Sequence, residues 1–413
     1  MGLARARRDV PPALGVNRPG GGGGIPEDGA GSVFHLYVHA PFCARRCFYC
    51  DFAVDVRRSP DPREWAETIR RERELVEGLG GLELAPSLQT LYVGGGTPSL
   101  LGPDAMTLLA GAVGEGRLQD GTLEWTAEAN PESLTTEVIE GWRRAGVGRL
   151  SLGVQSFQEP VLRWMGRLHG AQGAREAVER AQAAGLRNLS VDLIFGLPEI
   201  LRRDWRSDLE AAIALDVPHV SLYGLTAESG TPLGRGVAGG AIRMADDERY
   251  REEYLEAHER LEGAGYRHYE VSNFARPGFE SRHNQAYWRS VPYLGLGNSA
   301  HSFIPPVRRG NLGDWGEYLR AVTSGRLPWA EEDCPDSAGL RMERLWLELR
   351  TEAGMARSGL ETDSARETVR RWEKRGLIHS DPERVRMTVE GWLILDSLVL
   401  ELDRALEGLR PGG

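Results

Sequence analysis

From residue 33 onward the chain repeats one rhythm, a short apolar run followed by an amphipathic stretch, and this constrains the fold more than any other feature. Strand patterns fall at 33–40, 88–95, 123–130, 149–157, 189–196 and 219–226. Helix patterns fall between and after them, at 63–79, 103–116, 135–145, 171–185, 201–215 and 246–264. Strands alternating with helices imply βαβ units around a parallel sheet. Six such units predict an α/β fold, a partial TIM-like (β/α)6 barrel spanning 33–265.

Polar and glycine-rich residues recur at the C-terminal ends of these strands, in "HAPFC", "GGGTPS", "EANP", "QSF" and "GLP". Loops at those ends converge on one mouth, where barrels carry their chemistry. From 266 to 330 the pattern is irregular, with "HNQAYW" and "YLGLGNSAHSF", and reads as a barrel extension. Residues 331–413 turn mostly helical and close on a short strand and a helix, as in a winged helix. That stretch holds 18 Asp and Glu against 13 Lys and Arg, a balance of -5. The basic stripe of a DNA reader is absent, so no nucleic-acid partner is expected.

The whole chain carries a net charge of -10, which repels phosphate backbones. No apolar run approaches the roughly 18 residues of a spanning helix. The opening "MGLARARRDVPPALGVNRPGGGGG" lacks the apolar centre of a secretory signal. Its Gly/Pro richness cannot offset chain entropy, so 1–32 is expected to be a disordered tail. The expected location is cytoplasmic.

Four cysteines in 413 residues make no disulfide framework, yet three of them sit in "CARRCFYC". Cys43, Cys47 and Cys50 form C-x3-C-x2-C directly after the first strand. Thiolates suit iron–sulfur clusters, which take four ligands, so three leave one iron open. A structural zinc completed by His39 is the bland alternative. Cys334 stands alone and reads as a small buried hydrophobe.

C-x3-C-x2-C with an aromatic before its last cysteine, Tyr49, resembles the radical S-adenosylmethionine superfamily. The resemblance implies a [4Fe–4S] cluster on the three cysteines, with S-adenosylmethionine chelated to the open iron and cleaved reductively to a 5′-deoxyadenosyl radical. "LYVHAPFCARRCFYCDF", "LYVGGGTPSLL", "EANPESL", "RLSLGVQSF", "MGRLHG", "VDLIFGLP", "YEVSNFARPG" and "HNQAYW" appear in order over 33–320. They resemble the family of oxygen-independent coproporphyrinogen III oxidases and HemW heme chaperones, with a radical SAM barrel as the implied core.

Glycine lets backbone approach a ligand closely, so Gly94, Gly95 and Gly96 suit a loop whose N–H groups pair with a carboxylate or an amino acid moiety. By resemblance, Gly95, Gly96 and Thr97 contact S-adenosylmethionine, and Tyr37 and Tyr49 place rings beside it. The Glu128 carboxylate, ending the third strand, is placed to accept from the ligand's amino group or ribose hydroxyls. Gln155, Arg167 and Asp192 match ligand positions of the oxidase branch, where a second S-adenosylmethionine can sit. The chain departs from the family at Ala40, at Glu199 and Ile200, and at Ser299, which stands in place of a glycine.

Phe52 separates the two branches, because the oxidases carry a further cysteine two positions after the third. "HNQAYW" points the same way: an imidazole can ligate heme iron, and Tyr287 and Trp288 offer flat surfaces for a porphyrin. The resemblance therefore implies a heme chaperone that binds heme through His283 and passes it to an acceptor protein. It leaves open a transient contact with a membrane-bound acceptor, and a homodimer. The enzyme alternative is oxidative decarboxylation of coproporphyrinogen III.

Overall fold

The computed structural model describes residues 32–407. Apart from Ser32, the tail expected over 1–32 lies outside the described residues. Six strands, β1 (His35–Ala40), β2 (Thr90–Gly95), β3 (Glu124–Ala129), β4 (Arg149–Gln155), β5 (Asn188–Phe195) and β6 (His219–Gly224), follow each other across the sheet. Each neighbour is parallel to the last. The strands are buried along nearly their whole length, as expected of a sheet covered on both faces.

The crossovers are α1 (Pro62–Gly78), α2 (Ala105–Val113), α3 (Thr136–Ala145), α4 (Gly170–Ala183) and α5 (Trp205–Ala214), with α6 (Asp247–Gly263) after β6. Local chemistry sets their limits. Asp61 accepts from the Arg63 N–H at the start of α1, with Pro62 in the first turn. Thr135 caps α3, which buries Val138, Ile139 and Trp142 before Gly146 ends it at φ 111°.

The segment that reads as irregular in sequence supplies strands at both ends of this sheet. Tyr293–Leu296 adds parallel to β1, and His301–Ile304, Val307–Asn311 and Trp329–Asp333 continue it antiparallel. At the other end Asn273–Ala275 and Arg267–Glu270 add antiparallel to β6. The result, among the described residues, is an open sheet of 12 strands. These added strands are three to five residues long, too short to show a period of two clearly.

The C-terminal region holds helices Ser337–Leu349, Asp363–Lys374, Val389–Leu393 and Leu395–Glu407. A three-stranded sheet of Met355–Ala356, Arg384–Met387 and Ile378–Ser380 lies with them. The sequence pattern anticipates one short strand; the hairpin and its two-residue partner go beyond it. Arg350, at the end of the first of these helices, pairs with Glu270 at 3.0 Å with both side chains buried. That pair ties the region to the edge of the large sheet.

Candidate functional site

The C-terminal ends of β1 to β5 and the loops that follow them enclose a cavity of about 670 Å³. All thirteen positions singled out from the sequence line it: Cys43, Cys47, Cys50, Tyr37, Tyr49, Gly95, Gly96, Thr97, Glu128, Gln155, Arg167, Asp192 and His283. Residues up to 246 positions apart are thus brought to one wall system by the parallel order of the strands.

None of the three cysteines is in a disulfide, and each is partly buried. Cys43 lies 3.3 Å from the Thr97 hydroxyl, and burial pushes its thiol up to about 11. The Arg167 guanidinium approaches the Cys47 sulfur at 4.0 Å and donates to Asn130 Oδ1 and the Gly153 carbonyl at 2.6 Å each. A fixed positive charge beside the thiols favours an anionic group held by them. Among the described residues no three His, Cys, Asp or Glu side chains converge on one point as ligands of a single ion would. His39 is no fourth zinc ligand either: its Nε2–H donates to the Ala53 carbonyl at 3.0 Å, leaving Nδ1 to accept from the Tyr37 hydroxyl at 3.0 Å. Burial holds its pKa down at about 4, so the ring is neutral. The donor set fits a thiolate-bound cluster with an open side toward the cavity.

The glycine loop pairs with a carboxylate as its sequence suggests, and that carboxylate belongs to the protein's own Glu128. Its N–H groups are used inside the protein: Gly95 donates to Glu128 Oε2 at 3.0 Å, Gly96 to the Ala40 carbonyl at 2.8 Å and Thr97 to the Phe42 carbonyl at 2.8 Å. The glycines also permit close packing. A Cβ on Gly95, at φ 113°, would stand 2.3 Å from His39 Cε1, and one on Gly96 would stand 2.6 Å from the Pro41 carbonyl oxygen. The loop therefore locks the segment leading to Cys43 against β2.

Glu128 accepts from the Tyr92 hydroxyl at 2.8 Å as well as from Gly95. Burial raises its pKa to about 7, with Asp192 nearby adding to the rise. Asp192 is likewise shifted up by burial and accepts from Ser151 at 3.0 Å. Gln155 takes a left-handed backbone at φ 71°, at an irregularity in the β4–β5 pairing that turns it into the cavity wall. Tyr49 is buried in a small apolar cluster with Val161 and Met165.

His283 is on the helix Arg282–Trp288 and is 1% exposed. Thr90 Oγ1 lies 2.7 Å from its Nδ1, and the Tyr287 hydroxyl lies 2.8 Å from its Nε2. Burial, with His35 and Arg149 nearby, lowers its pKa to about 3. Its ring stacks on Tyr92 with centroids 5.2 Å apart. Both nitrogens are thus engaged within the protein, and an axial bond to iron would displace the Tyr287 hydroxyl. Phe52 stands exposed at the rim of the same cavity.

Sequence reasoning passed over Asn130, whose amide joins the Thr97 hydroxyl at 3.1 Å to Arg167. It lies in the "EANP" segment, so its position at a strand end was the available signal. His301 was also passed over, although it lines the cavity. Ser299, which departs from glycine, keeps a left-handed backbone at φ 58° that glycine adopts more easily, and nothing in the structure explains the change.

The radical SAM superfamily matches residues 37–212. Heme chaperone HemW of Mycobacterium tuberculosis is 35% identical over 375 residues, covering 90% of this chain and 95% of that protein. The chain belongs to the HemW family of radical SAM proteins. HemW of Lactococcus lactis is 34% identical over 364 residues, covering 86% of this chain and 93% of its own. The solved coproporphyrinogen III oxidase HemN of Escherichia coli superposes with a TM-score of 0.74 over 91% of both chains at 21% identity, which shows a shared fold. Membership of the superfamily implies a [4Fe–4S] cluster and S-adenosylmethionine, and three cysteines outside any disulfide beside Arg167 fit that implication.

Proposed function

We propose that this HemW-family chain binds heme in the cavity beside its iron–sulfur site and hands it to an acceptor protein. One observation carries the reading. Cys43, Cys47 and Cys50 share a single cavity with His283, Asn284, Tyr287 and Trp288, so cluster site and porphyrin-sized aromatic wall are contiguous. Its volume of about 670 Å³ is within the range of cofactor pockets.

Cys43, Cys47 and Cys50 would hold the cluster, with Arg167 offsetting its negative charge. Tyr37, Tyr49, Gly95, Gly96, Thr97 and Glu128 would form the first S-adenosylmethionine pocket, and Gln155, Arg167 and Asp192 would line the further position where a second can sit. When bound, the cluster supplies an electron and an open coordination site. The Glu128 carboxylate, with its pKa of about 7, can exchange a proton near neutrality. Tyr287 and Trp288 would pack on the porphyrin.

The acceptor is a protein that takes up heme, reached through a transient contact that could include a membrane-bound partner. We place the chain in the cytoplasm; no helix among the described residues is long and apolar enough to cross a membrane. Sedimentation of the cluster-loaded protein with and without heme tests for a homodimer.

Anaerobic titration of the reconstituted protein with heme, run beside product analysis with coproporphyrinogen III, tests the reading. Stoichiometric heme uptake and transfer to an apo-hemoprotein, without decarboxylation, is the expected result. Efficient conversion of coproporphyrinogen III would overturn it in favour of the oxidase.

A further inference from the structure

Three histidines line the cavity, and they differ in what their nitrogens do. His39 and His283 have both ring nitrogens hydrogen-bonded inside the protein. His301 is partly exposed and makes no side-chain hydrogen bond to any described residue. Sheet register explains its isolation. His301 pairs with Gly310 on one side, and its backbone lies against Gly295 on the other. Gly295 in turn pairs with Tyr37.

The glycines on either side bring no side chain to the sheet face beside the imidazole, which lines the cavity. A Cβ at Gly310 would stand 3.0 Å from His301 Cε1, showing that the ring leans over that bare backbone. Burial and the Arg308 guanidinium lower its pKa, the Glu331 carboxylate opposing them, so the ring is neutral and its lone pair free. A second group in the wall lacks a hydrogen-bond acceptor: the Trp288 Nε1–H is buried without one among the described residues. A buried donor left unsatisfied calls for a polar group in the cavity, and a propionate carboxylate is one.

We infer that His301, not His283, is the axial ligand to heme iron in this cavity. The assignment rests on the heme-binding reading above. Neutral imidazole with a free nitrogen is the ligand that five-coordinate heme takes, and ligation here breaks no existing hydrogen bond. His283 serves instead as a wall residue, held by Thr90 and Tyr287 so that Tyr287 presents its face.

The test titrates the full-length, cluster-containing protein with ferric heme and reads ligation by magnetic circular dichroism and resonance Raman. Wild type should show histidine ligation at one heme per chain. His301→Ala should lose that signature and weaken binding by on the order of tenfold or more, and added imidazole should restore the signature. Restoration also shows that the variant is folded. His283→Ala should keep the signature.

Retention of histidine ligation in His301→Ala, or its loss in His283→Ala alone, overturns the assignment while leaving heme binding intact. Failure of the wild type to take up one heme per chain overturns the heme reading itself. Zinc protoporphyrin, which needs only one axial nitrogen, gives an iron-independent version of the same comparison, with the same outcomes decisive.

Discussion

The Arg350 guanidinium lies 3.7 Å from the Trp288 ring centroid while pairing with Glu270 at 3.0 Å. One buried cation therefore contacts the cavity wall, the sheet edge and, through Trp346 at 4.6 Å, the C-terminal helix that carries it. Arg350→Ala would leave Glu270 buried without this partner and Trp288 without support. The expected destabilisation is about 3–5 kcal/mol, measured by urea denaturation. Glu270→Gln in the same background should recover part of it, and additive effects of the two changes would show that the pair is not coupled.

Cluster content should follow the three cavity thiols and ignore the fourth cysteine. Cys334, expected to be buried, is instead exposed just past the end of the edge strand, and it does not line the cavity. Cys43→Ser, Cys47→Ser and Cys50→Ser should each lose most iron and sulfide after anaerobic reconstitution, while Cys334→Ser keeps a full complement. A full cluster in Cys47→Ser would remove that residue from the ligand set.

His283 should stay neutral far below the ordinary histidine range. Its folded pKa of about 3 is depressed from about 6.5, so the associated stability is complete above about 6.5 and is lost as pH falls toward 3. The imidazole nitrogen shifts, followed by NMR from pH 7 to pH 4.5, should show no protonation of this ring. A midpoint above pH 5 would mean that Thr90 and Tyr287 do not seal it.

The six βα units were legible because strands buried on both faces read as continuous apolar runs and the helices between them are long enough for a 3.6 period to show. Cys43, Cys47, Cys50 and the glycine loop were legible because they lie close in sequence on two adjacent strand ends. Less was readable where a side chain's state depends on a remote partner. His283 faces Thr90 across 193 positions, and nothing local signals that both its nitrogens are taken. The use of the Gly95 N–H by Glu128 is hidden in the same way, because it depends on the pairing of β2 with β3. His301 escaped notice for the opposite reason: its value lies in missing neighbours, at Gly295 and Gly310, that only the sheet register reveals.

Gly96 should prove the least replaceable residue of the loop for ligand binding. An added Cβ would meet the Pro41 carbonyl oxygen at 2.6 Å and the Phe42 carbonyl oxygen at 2.8 Å, both backbone atoms that cannot swing aside. The strand leading to Cys43 would have to move outward, carrying the thiol away from Thr97. At Gly95 the clash is with a side chain, the His39 ring, but φ 113° adds backbone strain. Gly96→Ala should cost about 1–3 kcal/mol of stability and Gly95→Ala a similar amount through strain, of about 1–3 kcal/mol. Calorimetric titration with S-adenosylmethionine should separate the two, with Gly96→Ala weakening binding more because it displaces the cysteine segment itself. Unchanged affinity in Gly96→Ala, with the cluster present, would show that the ligand does not depend on this contact.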